Sequence, residues 1–229
     1  MADRNQQGGE TRDKILEAAC RLFAEKGYRG TTVAQICRTA PANIAAVNYY
    51  FGSKECLYQR AWRHAHDQLL AQAPQDGGVP ADRPAADRLR GQIRAGLQRA
   101  MLGDAIEFRI MRNEIANPTG LLREVIDDAI RPVRRATQEI LRELLGRQAS
   151  DRDVELCEVC VIAPLMHVMH HRQAERHEGL APIFDEDMIA DMVDHFTAFA
   201  LAGIQEIRRR IERPDSHASP TRSRGRQRQ

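Results

Sequence analysis

Between Asn48 and Lys54 the chain reads Asn-Tyr-Tyr-Phe-Gly-Ser-Lys, which brings an amide, two phenols, a hydroxyl and an ammonium group into one short stretch. Hydroxyls and cations of this kind contact phosphate oxygens and set a protein's position on a duplex, whereas base edges carry the sequence information. Tyr49, Tyr50 and Lys54, with Thr32 upstream, are therefore candidate phosphate contacts. Asn48 is the candidate base reader, because a side-chain amide pairs with adenine in two places; Ala45 and Ala46 would meet thymine methyls or allow close approach. A lysine at a helix start opposes that helix's dipole, but it joins the free backbone N–H groups there in attracting an anion. These groups suit double-stranded DNA only if a helix-turn-helix presents them to a groove. A net charge of +2 does not by itself identify such a partner, and residues 1–60, with nine Lys or Arg against six Asp or Glu, permit it.

A second group of reactive side chains lies on one predicted helix: Cys157, Cys160, His167, His170 and His171. Cysteine and histidine are the usual ligands of zinc, and a spacing of three or four residues puts two of them on one helical face. The two halves of the group are about 10 Å apart along a straight helix, so one ion would need a partner helix as well. Buried thiols or histidines at a dimer interface account for the pattern more simply, and no metal and no cofactor are expected. Neither GxSxG, nor a glycine-rich phosphate loop before a helix, nor HExxH occurs, so an enzyme is not indicated. The five cysteines form an odd, scattered set and read as reduced thiols.

These side chains need helices to hold them, and helical periodicity runs almost throughout the 229 residues. The expected fold is all-α. Ile15, Leu16, Ala19, Leu22 and Phe23 predict a first helix over about 11–26, stopped by Gly27. Thr32 and Asn43 are N-cap types for two short helices, the second running through Tyr50, and Ser53 caps a longer fourth. The segment APQDGGVPADRP reads as a flexible loop. Further helices are expected near 84–102 and 104–116, then over 121–145, where Pro132 should kink or split the helix near Ile130. Two long helices, about 152–174 and 185–211, close the fold. The second is apolar through Ile189, Met192, Val193, Phe196, Phe199, Ala200, Gly203, Ile204 and Ile207. Residues 1–10 and the Arg-rich 213–229 should be disordered, with 11–56 and 57–212 as the two folded units. No stretch approaches the roughly 20 apolar residues of a membrane span and the N-terminus has no apolar signal run, so a cytoplasmic location without a membrane partner is expected.

Thr31 to Tyr58, with Thr32, Ile36, Ala40, Tyr49, Tyr50, Phe51, Ser53, Lys54 and Glu55 in register, resembles the DNA-binding domain of the TetR family. The resemblance implies a helix-turn-helix whose second helix enters the major groove. Ile36, Val47 and Phe51 then form its small core. One departure is Pro41, where the family commonly has glycine at positive φ, a conformation closed to proline, so the turn between the helices should differ.

Ile110–Val133 and Asp194–Ile204 resemble the CecR-like branch of C-terminal domains. The TetR resemblance implies a homodimer built by the last two long helices, a near-palindromic operator, and repression relieved by a small-molecule effector that favours an arrangement misfitting that operator. Candidate lining residues for that effector are Phe108, Met111, Arg112, Met166, His170 and Phe199, all of which are equally compatible with ordinary core or surface. A helical metal-binding protein and a DNA-binding activator or scaffold with a protein-binding C-terminal half remain the alternatives. A cavity with converging polar groups would favour ligand sensing, and a filled core with an exposed apolar patch would favour a protein partner.

Overall fold

The computed structural model describes residues 2–102, 105–179, 183–184 and 187–213, and among them there are nine α-helices and no strand. They are α1 (Ala2–Gly30), α2 (Val33–Thr39), α3 (Ile44–Phe51), α4 (Lys54–Gln72), α5 (Ala85–Met101), α6 (Ile106–Ala116), α7 (Arg123–Leu145), α8 (Asp151–Glu178) and α9 (Ile189–Glu212). None of the described helices is long and apolar enough to cross a membrane.

Helix α1 buries Ile15, Leu16, Ala19, Leu22 and Phe23 at helical spacing. It begins at Ala2, not at Thr11, so residues 2–10, for which the sequence predicts disorder, are helical. Once a helix is nucleated, each further turn is cheap, and the Ala, Gln, Arg and Glu of this stretch tolerate it. Gly27 breaks the helix as expected, at φ 67° and ψ 178°.

Around α1 a first core gathers Ile36, Val47, Phe51, Leu57, Tyr58 and Trp62, and it also takes Ile110 of α6 and Leu122 ahead of α7. The hydrophobic interior thus crosses the boundary drawn at residue 56. A second core joins α5, α7, α8 and α9 through Leu89, Ile93, Leu97, Leu141, Val161, Leu165, Val193 and Ile204.

Two expectations about connections change. Helix α7 runs unbroken through Pro132. Pro132 and Asp128 are both exposed, so the Asp128 carbonyl that loses its amide partner still meets water. The 73–84 segment is anchored to α5: Arg99 Nη1 donates to the Ala73 carbonyl at 2.8 Å, and Gly77 approaches Gly91 so closely that a Cβ there would stand 2.2 Å from the Gly91 oxygen. What looked like flexibility is a pair of glycines permitting backbone contact. Helix α8 extends to Glu178, past the expected end at 174, with Ser150 and Asp153 forming a capping box at its start. The tail arginines Arg222, Arg224, Arg226 and Arg228 lie outside the described residues.

Candidate nucleic-acid interface

Three caps build the helix-turn-helix. Thr32 Oγ1 accepts the Gln35 N–H at 3.2 Å while Gln35 Oε1 accepts the Thr32 N–H at 2.8 Å. Asn43 Oδ1 accepts the Ala46 N–H at 2.7 Å, and Ser53 Oγ accepts the Cys56 N–H at 3.2 Å. Each satisfies a backbone donor that a helix start leaves free. Between the first two helices Pro41 stands at φ 23°. The turn therefore takes the positive φ that the sequence reading closed to proline, far from the ring's preferred −65°, so the backbone is strained there.

Val47 and Phe51 anchor the inner face of α3, and Arg12 and Arg60 flank the Phe51 ring. The outer face carries Ala45, Asn48 and Tyr49, with Tyr49 82% exposed; Ala46 and Tyr50 are half-buried against the core. The Tyr49 and Tyr50 rings meet edge to face at 5.0 Å. An exposed tyrosine held by its neighbour, beside an exposed amide and a small side chain, is a surface able to enter a groove. Beside it lies an open groove of about 640 Å³ lined by Thr11, Arg38, Asn43 and Ala46 among others. Arg38 was missed by sequence reasoning, although it is the one basic residue between Gly30 and Lys54.

Two of the candidate phosphate contacts are already engaged. The Thr32 hydroxyl serves its cap. The Lys54 ammonium sits 4.0 Å over the Tyr28 ring, where burial lowers its pKa against the opposing effect of Glu55. Tyr28 donates to Glu55 Oε1 at 2.6 Å. That bond, with the residue's own amide and the Ser53 hydroxyl, holds the Glu55 carboxyl down to about 2; burial and Glu55 push the Tyr28 phenol up to about 12.

Helix α6 couples this unit to the rest of the chain. Asn113 Nδ2 donates to the carbonyls of Phe23 and Ala24 at 3.1 and 2.9 Å. Next to it, Glu114 accepts the Tyr58 hydroxyl at 3.1 Å and the amides of Thr119 and Gly120 at 2.8 and 2.9 Å. Burial and this carboxylate raise the Tyr58 pKa.

The candidate effector-lining residues do not converge. Phe108, Met111 and Arg112 are half-buried on α6, with Met111 packed on the first core. Met166, His170 and Phe199 face outward on α8 and α9, Phe199 being 78% exposed. Helical spacing identified apolar stripes but not which stripe faces inward. Phe199 instead borders a shallow cleft of about 240 Å³ with Ile93, Cys160, Pro164 and His195. Of the Cys/His group, Cys157 is buried, Cys160 and His170 are exposed, and His167 and His171 both meet Phe184 edge to face. Among the described residues no three His, Cys, Asp or Glu side chains come together as a metal site.

One polar cluster gave no sequence signal. His66 stacks on Trp62 at 5.0 Å and 12°, and its Nδ1 lies 3.7 Å from Oε1 of the buried Glu107. Burial lowers the pKa of nearby Arg99, and Glu107 opposes that shift.

Residues 15–61 match the profile of bacterial regulatory proteins of the tetR family, and residues 85–204 match that of the C-terminal domain of the HTH-type transcriptional dual regulator CecR. The second match alone covers more than half of the chain. The HTH-type transcriptional repressor NicS of Pseudomonas putida is 41% identical over 63 residues, 28% of this chain and 30% of that protein. The chain thus matches less than a third of that relative's length. A transcriptional regulator of Pseudomonas aeruginosa PAO1 superposes with a TM-score of 0.68 at 17% identity, covering 87% of this chain and 93% of that one. AibR, solved with isovaleryl coenzyme A and operator DNA, superposes at 0.55 and 20% identity, covering 82% and 97%. At these identities the two structures speak for the fold alone.

Proposed function

Because the chain belongs to the TetR family of bacterial regulatory proteins and carries a CecR-type C-terminal domain, we propose that it is a DNA-binding transcriptional repressor, released from a near-palindromic operator by a small-molecule effector. The observation that carries this reading is the outer face of α3, where Ala45, Asn48 and the exposed Tyr49 stand clear of a core that fixes the helix from behind. Asn48 reads a base, Ala45 and Ala46 admit close approach, and Tyr49 and Tyr50 contact phosphates with Arg38 beside them. Lys54 joins them by leaving the Tyr28 ring, and Thr32 contributes chiefly by capping α2.

A homodimer through α8 and α9 accounts for the large apolar side chains these helices leave exposed, among them Leu156, Val159, Met166 and Phe199. Two recognition helices would then meet half-sites about one DNA turn, roughly 34 Å, apart or somewhat more.

Selection of bound sequences from random duplex DNA at physiological salt tests the reading. Wild-type protein should enrich a near-palindromic site, and Asn48→Ala and Tyr49→Ala should relax or lose it while sedimentation gives a dimer. Folded wild-type protein that enriches nothing would sink the proposal. A monomer that binds a single half-site would remove the dimer alone.

A further inference from the structure

The Lys54 ammonium is drawn toward the end of α1 that lies far from the side chains it would join on a duplex. Tyr50 reaches the start of α1, where a Cβ on Gly8 would stand 3.3 Å from its hydroxyl, and Thr11 lines the groove shared with Asn43 and Ala46. Tyr28, the ring under Lys54, follows Gly27, which stands nineteen residues, or about 28 Å, beyond Gly8 along that helix.

The ring is not free to travel to the DNA with the lysine. It stacks on Phe23 at 6.3 Å and packs against Tyr58 at 5.1 Å, and the fully buried Tyr58 is itself tied to α6 by donating its hydroxyl proton to Glu114. The Tyr28 hydroxyl is in turn fixed on Glu55. A cation 4.0 Å over an aromatic face is held by the ring's negative quadrupole, so Lys54 gives up this attraction when it leaves. Glu55, the next residue, keeps its carboxylate ionised beside this seat, a charge that repels an approaching phosphate.

We propose that Tyr28 and Glu55 form an autoinhibitory latch: they withhold the Lys54 ammonium from DNA, and a phosphate must draw it off the ring before the interface is complete. The proposal rests on the reading of Lys54 as a phosphate contact, and it names how that contact is regulated. The latch lowers the affinity for a duplex by the strength of the seat over the ring. Residues outside the helix-turn-helix, Phe23 on α1 and Glu114 on α6, hold that seat in place.

The chain has three lysines, Lys14, Lys26 and Lys54, and the first two are exposed. Reductive methylation of the full chain with carbon-13 formaldehyde keeps their charge and gives each a resonance, that of Lys54 being identified by its loss in Lys54→Met. The Lys54 signal should lie upfield of the other two through the Tyr28 ring current, and it should move toward them when a random-sequence duplex of about 30 base pairs is added at low salt. Tyr28→Leu should abolish the upfield displacement and bind the duplex about two- to tenfold more tightly. Tyr28→Phe, which keeps the ring in its stack and removes only the bond to Glu55, should tighten binding less, and it carries the test if the leucine variant does not fold. In a Lys54→Met background neither substitution should change the affinity. A Lys54 signal that stays upfield in the saturated complex would overturn the latch, as would folded Tyr28 variants that bind no more tightly than wild type. Salt dependence separates this from the underlying reading: Lys54→Met should flatten the slope of log affinity against log salt by about one. If it does and the Tyr28 variants gain nothing, Lys54 contacts DNA and the latch alone falls. An unchanged slope removes Lys54 from the interface, and the latch with it.

Discussion

Replacing Asn113 by alanine is expected to loosen the DNA-binding unit from the C-terminal domain. Its amide donates to two carbonyls in the last turn of α1 ahead of Gly27, where a helix end leaves its acceptors without intrahelical partners. Each bond is worth about 1 kcal/mol net, so Asn113→Ala should cost about 2 kcal/mol. At roughly 2–4 °C per kcal/mol for a chain of this size, the melting temperature should fall by about 4–8 °C. Asn113→Asp tests the cause, because it keeps the shape while turning an acceptor oxygen toward both carbonyls. It should cost more than alanine at neutral pH and recover part of the loss in acid, where the protonated carboxyl donates again. Urea and thermal unfolding at both pH values check this. An Asn113→Asp protein within about 0.5 kcal/mol of wild type, or one more stable than Asn113→Ala, would refute the clamp.

Pro41→Gly should stabilise the protein by about 1 kcal/mol, because relief of strain at φ 23° exceeds the entropy that glycine adds to the unfolded chain; an unchanged urea midpoint would count against strain at this turn. Gly91→Ala should destabilise, although alanine is the better helix former by about 1 kcal/mol, because the new Cβ would stand 2.4 Å from the Asp76 oxygen; a raised melting temperature would show that the 73–84 segment yields freely. Glu55 is an acid whose folded pKa is depressed from 4.5 to about 2, so its contribution is present above about 4.5 and is lost as pH falls toward 2. Tyr28 is an acid whose pKa is raised from 10.0 to about 12, so its stability is present below 10 and is lost as pH rises through that window. Tyr28→Phe should flatten both limbs of the pH–stability profile, and an acid limb identical to wild type would show that their hydrogen bond does not set the Glu55 shift.

Much of the interface was legible because caps are local. Thr32, Asn43 and Ser53 each bond an amide three residues away, so residue type and spacing suffice to place three helix starts. The burial of Val47 and Phe51 followed from helical period in the same way. Lys54 was not legible to the same degree: its place at the helix start was plain, but its seat over Tyr28 depends on a residue twenty-six positions away. The effector-lining residues fared worst, since helices in a bundle carry apolar groups on several faces and periodicity alone leaves Phe199 and Phe196 equivalent. The structure exposes the first and half-buries the second.

By itself, the sequence determined the all-helical class and the helix-turn-helix with its capped starts, both consequences of chemistry acting within a few positions along the chain. Tertiary structure decided which apolar stripes face inward, how the 73–84 segment locks onto α5 through two glycines, and that Asn113 holds α1. It also decided that Glu107, flanked by Ile106 and Phe108 in a stretch with no motif, is buried beside His66. Those outcomes depend on surfaces brought together from well beyond a helical turn, 26 residues apart for Arg99 and Ala73 and 90 for Asn113 and Phe23, and no local pattern encodes which surfaces meet.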